Sequence, residues 1–153
     1  MTDSAAPLLP DSSNPMLLLE NQLCFPLYAA SRMLTKAYQP LLQELGLTYP
    51  QYLVLMLLWE HKELTVKEIG EHLLLDSGTL TPLLKRMEQR QWLSRRRAAH
   101  DERSVIIELL PDGKALHEPA CRVPEQMLTR LGMPTEDFVA LRNQLNKLLT
   151  KLQ

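Results

Sequence analysis

Two cysteines, Cys24 and Cys121, are the sulfur nucleophiles of this chain, and its strongest charge feature is the basic stretch from Lys85 to Arg103. A cysteine acts through its thiolate, which can be oxidised, bind a soft metal or form a disulfide. Two cysteines are too few for a disulfide framework, and no histidine joins them at metal-ligand spacing, so no metal and no cofactor are expected. Either both fill the core or at least one is chemically used. In the basic stretch seven Lys/Arg (85, 86, 90, 95, 96, 97, 103) meet three acids (88, 101, 102), a local balance of +4 in a chain of net charge −1. A mildly acidic protein with one basic edge suits phosphate at that edge better than general polycation behaviour.

The elements that must present this edge can be read on either side of it. Thr65 followed three residues later by Glu68 is a capping box, and Val66, Ile69, Leu73 and Leu74 form the apolar stripe of the helix it starts. That helix must stop near Asp76. Asp76 and Ser77 then cap a second helix with apolar positions Leu80, Leu83, Leu84 and Met87, leaving Ser77, Thr79, Thr81, Lys85 and Arg86 on other faces. After Trp92 the pattern changes to short β-favouring runs, Leu93–Arg95 and Val105–Leu109, joined by the charged stretch 96–103. The expected fold class is mainly α with a small β-hairpin wing, a winged helix-turn-helix. Such a fold holds one helix in the major groove of double-stranded DNA and a hairpin arm near the minor groove. A charged hairpin alone is a solvated loop; beside a capped helix pair it reads as a DNA-contacting edge.

The remaining segments are helical. Residues 1–15, rich in Pro, Ser, Asp and Asn, read as a flexible arm. From Met16 to Tyr38 the stripe Leu19, Leu23, Leu27, Ala30, Leu34 predicts a helix in which Pro26 either forces a kink beside Gln22 or marks a start close by, and the second case would leave Cys24 just outside a helix N-terminus. Gln39–Leu45 reads as a separate short helix closed by Gly46. Thr48-Tyr49-Pro50 opens a helix, Gln51–His61, that is apolar nearly all round and belongs under the DNA motif. A long helical segment from Pro111 to Leu131 is interrupted by Pro119 and Pro124. The last helix, Thr135–Leu152, carries more apolar residues than packing on a small domain requires. Together with the first helix it predicts a bundle shared by a homodimer, which presents two recognition helices to the two half-sites of an inverted-repeat operator. The expected organisation is an arm (1–15) and one unit (16–153), with dimerisation helices at 16–47 and 111–153 and a winged-helix region at 48–110. No apolar run is long enough to span a membrane and the N-terminus lacks a signal-peptide layout, so no membrane partner and a cytoplasmic location are expected.

The motifs Leu19-Glu-Asn-Gln-Leu-Cys24-Phe, Leu47-Thr-Tyr49-Pro-Gln-Tyr-Leu, the run from Leu75 to Met87 and Asp101-Glu-Arg103-Ser resemble the OhrR group of the MarR family over about Leu17 to Leu152. The resemblance implies a dimeric repressor, not an enzyme, that senses organic hydroperoxides. It implies that Cys24 is oxidised first, to a sulfenic acid, that the hydroxyls of Tyr38 and Tyr49 support its sulfur, and that Arg103, beside Asp101 in the wing, enters the minor groove. Tyr52 reads instead as a core aromatic. The chain departs from that pattern at Pro26 and at Cys121, since two-cysteine relatives carry a resolving cysteine where this chain has Thr129. Cys121 would have to resolve oxidised Cys24 from a shifted position, and the alternative is a mixed disulfide with a low-molecular-weight thiol. Two other functions compete: a MarR-type regulator released by a small aromatic ligand, with Cys24 incidental, and a thiol peroxidase.

Overall fold

A computed structural model of the protein describes residues 14–153, so the arm expected over 1–15 lies outside the described residues except at its last two positions. The chain divides into two compact units, residues 1–36 and 37–153.

In the first unit the segment before Cys24 is folded by its own carboxamides. Pro15–Leu17 and Leu19–Asn21 form 3-10 turns. Asn14 Oδ1 accepts the Met16 N–H at 2.9 Å, Asn21 Nδ2 donates to the Pro15 carbonyl at 2.8 Å, and Gln22 donates to the carbonyls of Met16 and Leu18. These bonds satisfy backbone groups that such short turns leave open. Asn21 and Gln22 therefore hold the approach to Cys24. Helix α1 follows as Cys24–Gln43. Pro26 is its third residue, where a missing N–H costs nothing because the first four amides have no helical partner. Cys24 is thus the first residue of the helix, not a residue outside it.

The expected separate helix over Gln39–Leu45 does not form. Helix α1 runs through Pro40 to Gln43, and the chain then turns at Gly46, φ +70°. An interior proline costs about 3 kcal/mol, and burying one leucine returns roughly 1.5–3 kcal/mol. Leu42, 1% exposed, together with partly buried Leu41 and Leu45, keeps this last turn of α1 on the core.

In the second unit α2 (Tyr49–Glu60) starts two residues earlier than expected, with the Thr48 N–H donating to Gln51 Oε1 at 2.9 Å and Pro50 in the first turn. It buries Tyr52, Val54, Leu55 and Leu58, as an all-round apolar helix should. Helix α3 (Val66–Leu73) opens on the expected capping box, Thr65 N–H to Glu68 at 2.7 Å and Glu68 N–H to Thr65 Oγ1 at 3.2 Å. Leu74, left-handed at φ 54°, ends it. Asp76 then caps α4 (Ser77–Gln89), accepting the Thr79 N–H at 2.9 Å. Ile69, Leu80, Leu84 and Met87 are fully buried between these helices.

The wing has three strands where two were expected. Besides β2 (Leu93–Arg97) and β3 (Val105–Leu109), residues Glu63–Thr65 form β1, antiparallel to β3, in the order β1-β3-β2. The register sets Leu64 opposite Ile107 and Leu93 opposite Leu109, so the inward face is aliphatic. A three-residue strand has no periodicity of its own to read; pairing with β3 creates it.

The segment expected as one interrupted helix is three short ones, α5 (Pro111–Ala115), α6 (His117–Ala120) and α7 (Val123–Leu131), with Cys121 between α6 and α7. The last helix, α8, is Thr135–Leu152 and buries none of its side chains in a single chain.

Candidate nucleic-acid interface and thiol sites

Helix α4 and the wing form the basic edge, and the structure sorts its charges. Arg95 Nε pairs with Glu88 at 2.9 Å, which ties β2 to α4. Arg96 pairs with Glu63 and lies 3.9 Å from Glu108. Those two acids sit directly opposite each other on β1 and β3, so the guanidinium offsets a like-charge pair that would otherwise weaken the sheet. Arg90 is bonded to a backbone carbonyl and stacked on Trp92. Lys85, Arg86, Arg97 and Arg103 are left, exposed and without an ion pair among the described residues. The apparent +4 of the stretch overstates what is free, because Glu63 and Glu108 lie outside it in sequence. Strand alternation already separates Arg96 from Arg95 and Arg97 in the triple-arginine run.

Ser77, Thr81, Arg95, Asp101 and Arg103 line a groove of about 890 Å³ between the helix pair and the wing. Lys85 and Arg86 project from the exposed side of α4 and do not line that groove. The Thr79 hydroxyl is engaged by the capping carboxylate of Asp76 at 3.1 Å. The Asp101 carboxylate accepts the Arg103 backbone N–H at 3.0 Å. With Ala98 N–H donating to the Ser104 carbonyl, this closes the hairpin tip and leaves the Arg103 guanidinium unpaired among the described residues.

Tyr38, near the end of α1, and Tyr49, the first residue of α2, come together, ring centroids 4.8 Å apart. Tyr52 is next to them at 6.3 Å from Tyr38 and only 3% exposed, a core aromatic as expected. Burial raises the pKa of Tyr38 above its ordinary value, with Tyr49 adding to it, and burial alone raises that of Tyr49. Both phenols stay protonated at physiological pH and can only serve as O–H donors or neutral acceptors. Neither hydroxyl has a hydrogen-bond partner among the described residues. Cys24 lies in the first unit, exposed.

Cys121 has a histidine beside it: its Sγ lies 3.8 Å from His117 Nδ1, one helical turn earlier. Both line a cavity of about 410 Å³ with Tyr52, Met56, Trp59 and Glu60. Trp59 crosses His117 edge-on at 5.3 Å and donates its indole N–H to the Gly113 carbonyl at 3.0 Å. Among the described residues no cluster of three or more His, Cys, Asp or Glu could hold a metal ion, and no helix is long and apolar enough to cross a membrane.

Known proteins fit this geometry. A family model described as transcriptional regulator SarA/Rot matches residues 36–118. The chain is 56% identical over 88% of its length, and 91% of the relative's, to an organic hydroperoxide resistance transcriptional regulator of Bacillus subtilis. A structure described as reduced AbfR bound to DNA is 39% identical with a TM-score of 0.74, covering 88% of this chain and 94% of that one. Disulfide-formed AbfR is 40% identical at a TM-score of 0.63, covering 86% and 92%. With a winged-helix fold, and with that much identity spread over nearly its whole described length, the chain belongs to the MarR family of transcriptional regulators, in its organic hydroperoxide-sensing OhrR group.

Proposed function

We propose that this protein is a dimeric, DNA-binding transcriptional repressor that senses organic hydroperoxides by oxidation of Cys24 and then releases an inverted-repeat operator. The observation that carries the sensing half is the Tyr38–Tyr49 pair, two adjacent, half-buried phenols. Donors in apolar surroundings suit a sulfur anion and the hydrocarbon tail of an organic peroxide. In this reading the hydroxyls that support Cys24 come from a second copy. The exposed apolar residues of α8, Leu141, Leu149 and Leu152, supply the surface for that copy.

In the chemical step the Cys24 thiolate attacks the terminal peroxide oxygen. The O–O bond breaks, the alkoxide leaves and is protonated to the alcohol, and the sulfur becomes a sulfenic acid. Condensation with a second thiol forms a disulfide and expels water. That thiol is either Cys121 of a second copy, which lies 3.8 Å from His117 Nδ1, or a low-molecular-weight thiol. Oxidation replaces a small anion with a larger group that no longer accepts the same two hydrogen bonds. Tyr49 opens α2, the helix beneath the DNA motif, so repacking there changes how the two recognition helices are spaced. Losing about 3 kcal/mol of a bivalent grip weakens binding more than a hundredfold.

On the DNA side, Ser77, Thr81, Lys85 and Arg86 of α4 contact phosphates or base edges in the major groove, and Arg103 reaches the minor groove. Thr79 contributes less, its hydroxyl being held by Asp76. Such a repressor acts in the cytoplasm and is not an enzyme. The test is the Cys24→Ser protein on its operator: it should bind like wild type and ignore an organic hydroperoxide. Release at wild-type peroxide concentrations would move sensing elsewhere.

A further inference from the structure

Arg90 has no acid partner among the described residues, yet three parts of the fold meet on its side chain and its backbone. Its N–H bonds to the Arg86 carbonyl and closes the C-terminal end of recognition helix α4. Its Nη1 donates to the Gly46 carbonyl at 2.7 Å, 44 residues earlier, in the turn between α1 and α2. Its guanidinium face lies 4.8 Å over the Trp92 ring, at the root of β2. A planar fork can donate in its plane and stack on its face at once; an ammonium cannot.

Both ends of this bridge are stiff. The turn at Gly46, φ +70°, is closed by the Gly46 N–H donating to the Gln43 carbonyl at 3.0 Å and the Leu47 N–H donating to the Leu42 carbonyl at 2.9 Å, and it leads through buried Leu47 to Thr48 and Tyr49. The Trp92 carbonyl accepts the Leu110 N–H at 3.0 Å, and a Cβ on Gly113 would approach that same carbonyl to 2.0 Å. Backbone packed so closely transmits displacement rather than absorbing it.

We propose that Arg90 is the positioning residue that couples the turn before Tyr49 to the recognition helix and the wing, so that repacking at the thiol site is passed to both DNA-contacting elements together. This inference rests on the redox-repressor reading. Movement of the Gly46 carbonyl draws on the guanidinium, and α4 and β2 follow because Arg90 ends one and stacks on the start of the other.

The experiment measures operator affinity at fixed salt for wild type, Arg90→Ala, Arg90→Lys and Cys24→Ser, each reduced and after treatment with an organic hydroperoxide, along with tryptophan emission in a Trp59→Phe background so that Trp92 reports. Arg90→Ala should keep reduced-state affinity within about fivefold, while its ratio of reduced to oxidised affinity falls by about tenfold or more, the scale of an ordinary coupling. Oxidation should shift Trp92 emission in the Trp59→Phe protein and fail to shift it when Arg90→Ala is added. Arg90→Lys, which restores the donor to Gly46 but not the stack, should recover part of the ratio and guards against an alanine variant that does not fold. An unchanged ratio, or equal weakening in both states up to complete loss, would overturn the proposal and make Arg90 a strut or a DNA contact. If Cys24→Ser is still released by the peroxide, the thiol reading fails instead, whatever the Arg90 variants do.

Discussion

Tyr38 and Tyr49 stand on different helices, yet their rings are 4.8 Å apart and tilted by 43°, and burial raises the pKa of both phenols above its ordinary value. Two neutral donors side by side favour a sulfur anion without supplying a competing charge. Tyr38→Phe and Tyr49→Phe should each slow oxidation of Cys24 about tenfold, the loss of one hydrogen bond to a charged group. Reduced-state operator affinity should stay nearly intact. The rate of thiol loss under excess organic hydroperoxide measures the first effect and fluorescence anisotropy on operator DNA the second; an unaltered rate in both variants would remove the tyrosines from the sensor.

The wing tip yields a second expectation. Because Asp101 holds the Arg103 backbone and leaves the guanidinium free, Arg103→Ala should remove a DNA contact without disturbing the hairpin. Operator binding should weaken by about 1–3 kcal/mol at matched salt. Affinity equal to wild type would exclude the wing from recognition. Asp101→Ala, with the arginine kept but the tip uncapped, should weaken binding less.

The caps of the two DNA-motif helices make stability depend on acid. The Thr65 backbone N–H, and then its hydroxyl, hold the Glu68 carboxyl below its ordinary pKa, and the Thr79 N–H does the same for Asp76. A depressed carboxyl pKa contributes stability at pH values above the unfolded-state value, and that contribution is lost as the pH falls through the folded-state value. Melting temperature should therefore drop as the pH falls below the ordinary carboxylate range, and Glu68→Gln should flatten that slope. Thr65→Ala should cost about 0.5–2 kcal/mol near neutrality. Melting curves from pH 7 down to acid, with parallel slopes for wild type and Glu68→Gln, would rule out the cap as a source.

Helix α8 buries no side chain in one chain, and Leu141 is 48% exposed. Leu141→Asp or Leu145→Asp should abolish dimerisation and cost folding with it, since subunits that share a core seldom have a stable monomer. Sedimentation and circular dichroism together decide this. A folded monomer with full operator affinity would contradict the two-copy site.

Much of the DNA motif was legible in the sequence because its signals are local. A capping box needs Thr65 and Glu68 three residues apart, and an N-cap needs Asp76 before Thr79; both bonds form within one turn whatever the rest of the chain does. The same holds for the apolar spacing of α4 and for α8, whose bounds were as expected. Prolines were harder to read. Pro26 falls where its missing amide costs nothing, and α1 runs on through Pro40, where a separate short helix was expected over Gln39–Leu45, carried by the packing of Leu42. Neither outcome is visible from the proline itself, since one depends on where the helix starts and the other on a core partner distant in sequence.

What the tertiary structure alone decided are relationships between residues far apart along the chain. The β1 strand exists because Leu64 finds Ile107, and Arg96 is spent between Glu63 and Glu108 while Arg103 stays free. Arg90 reaches Gly46 across 44 positions. Periodicity and capping report only which way a side chain leaves its own helix or strand. Which charge is neutralised, which phenols meet and which guanidinium joins two elements depend on how those elements pack, and packing is set by the buried face of the whole unit at once.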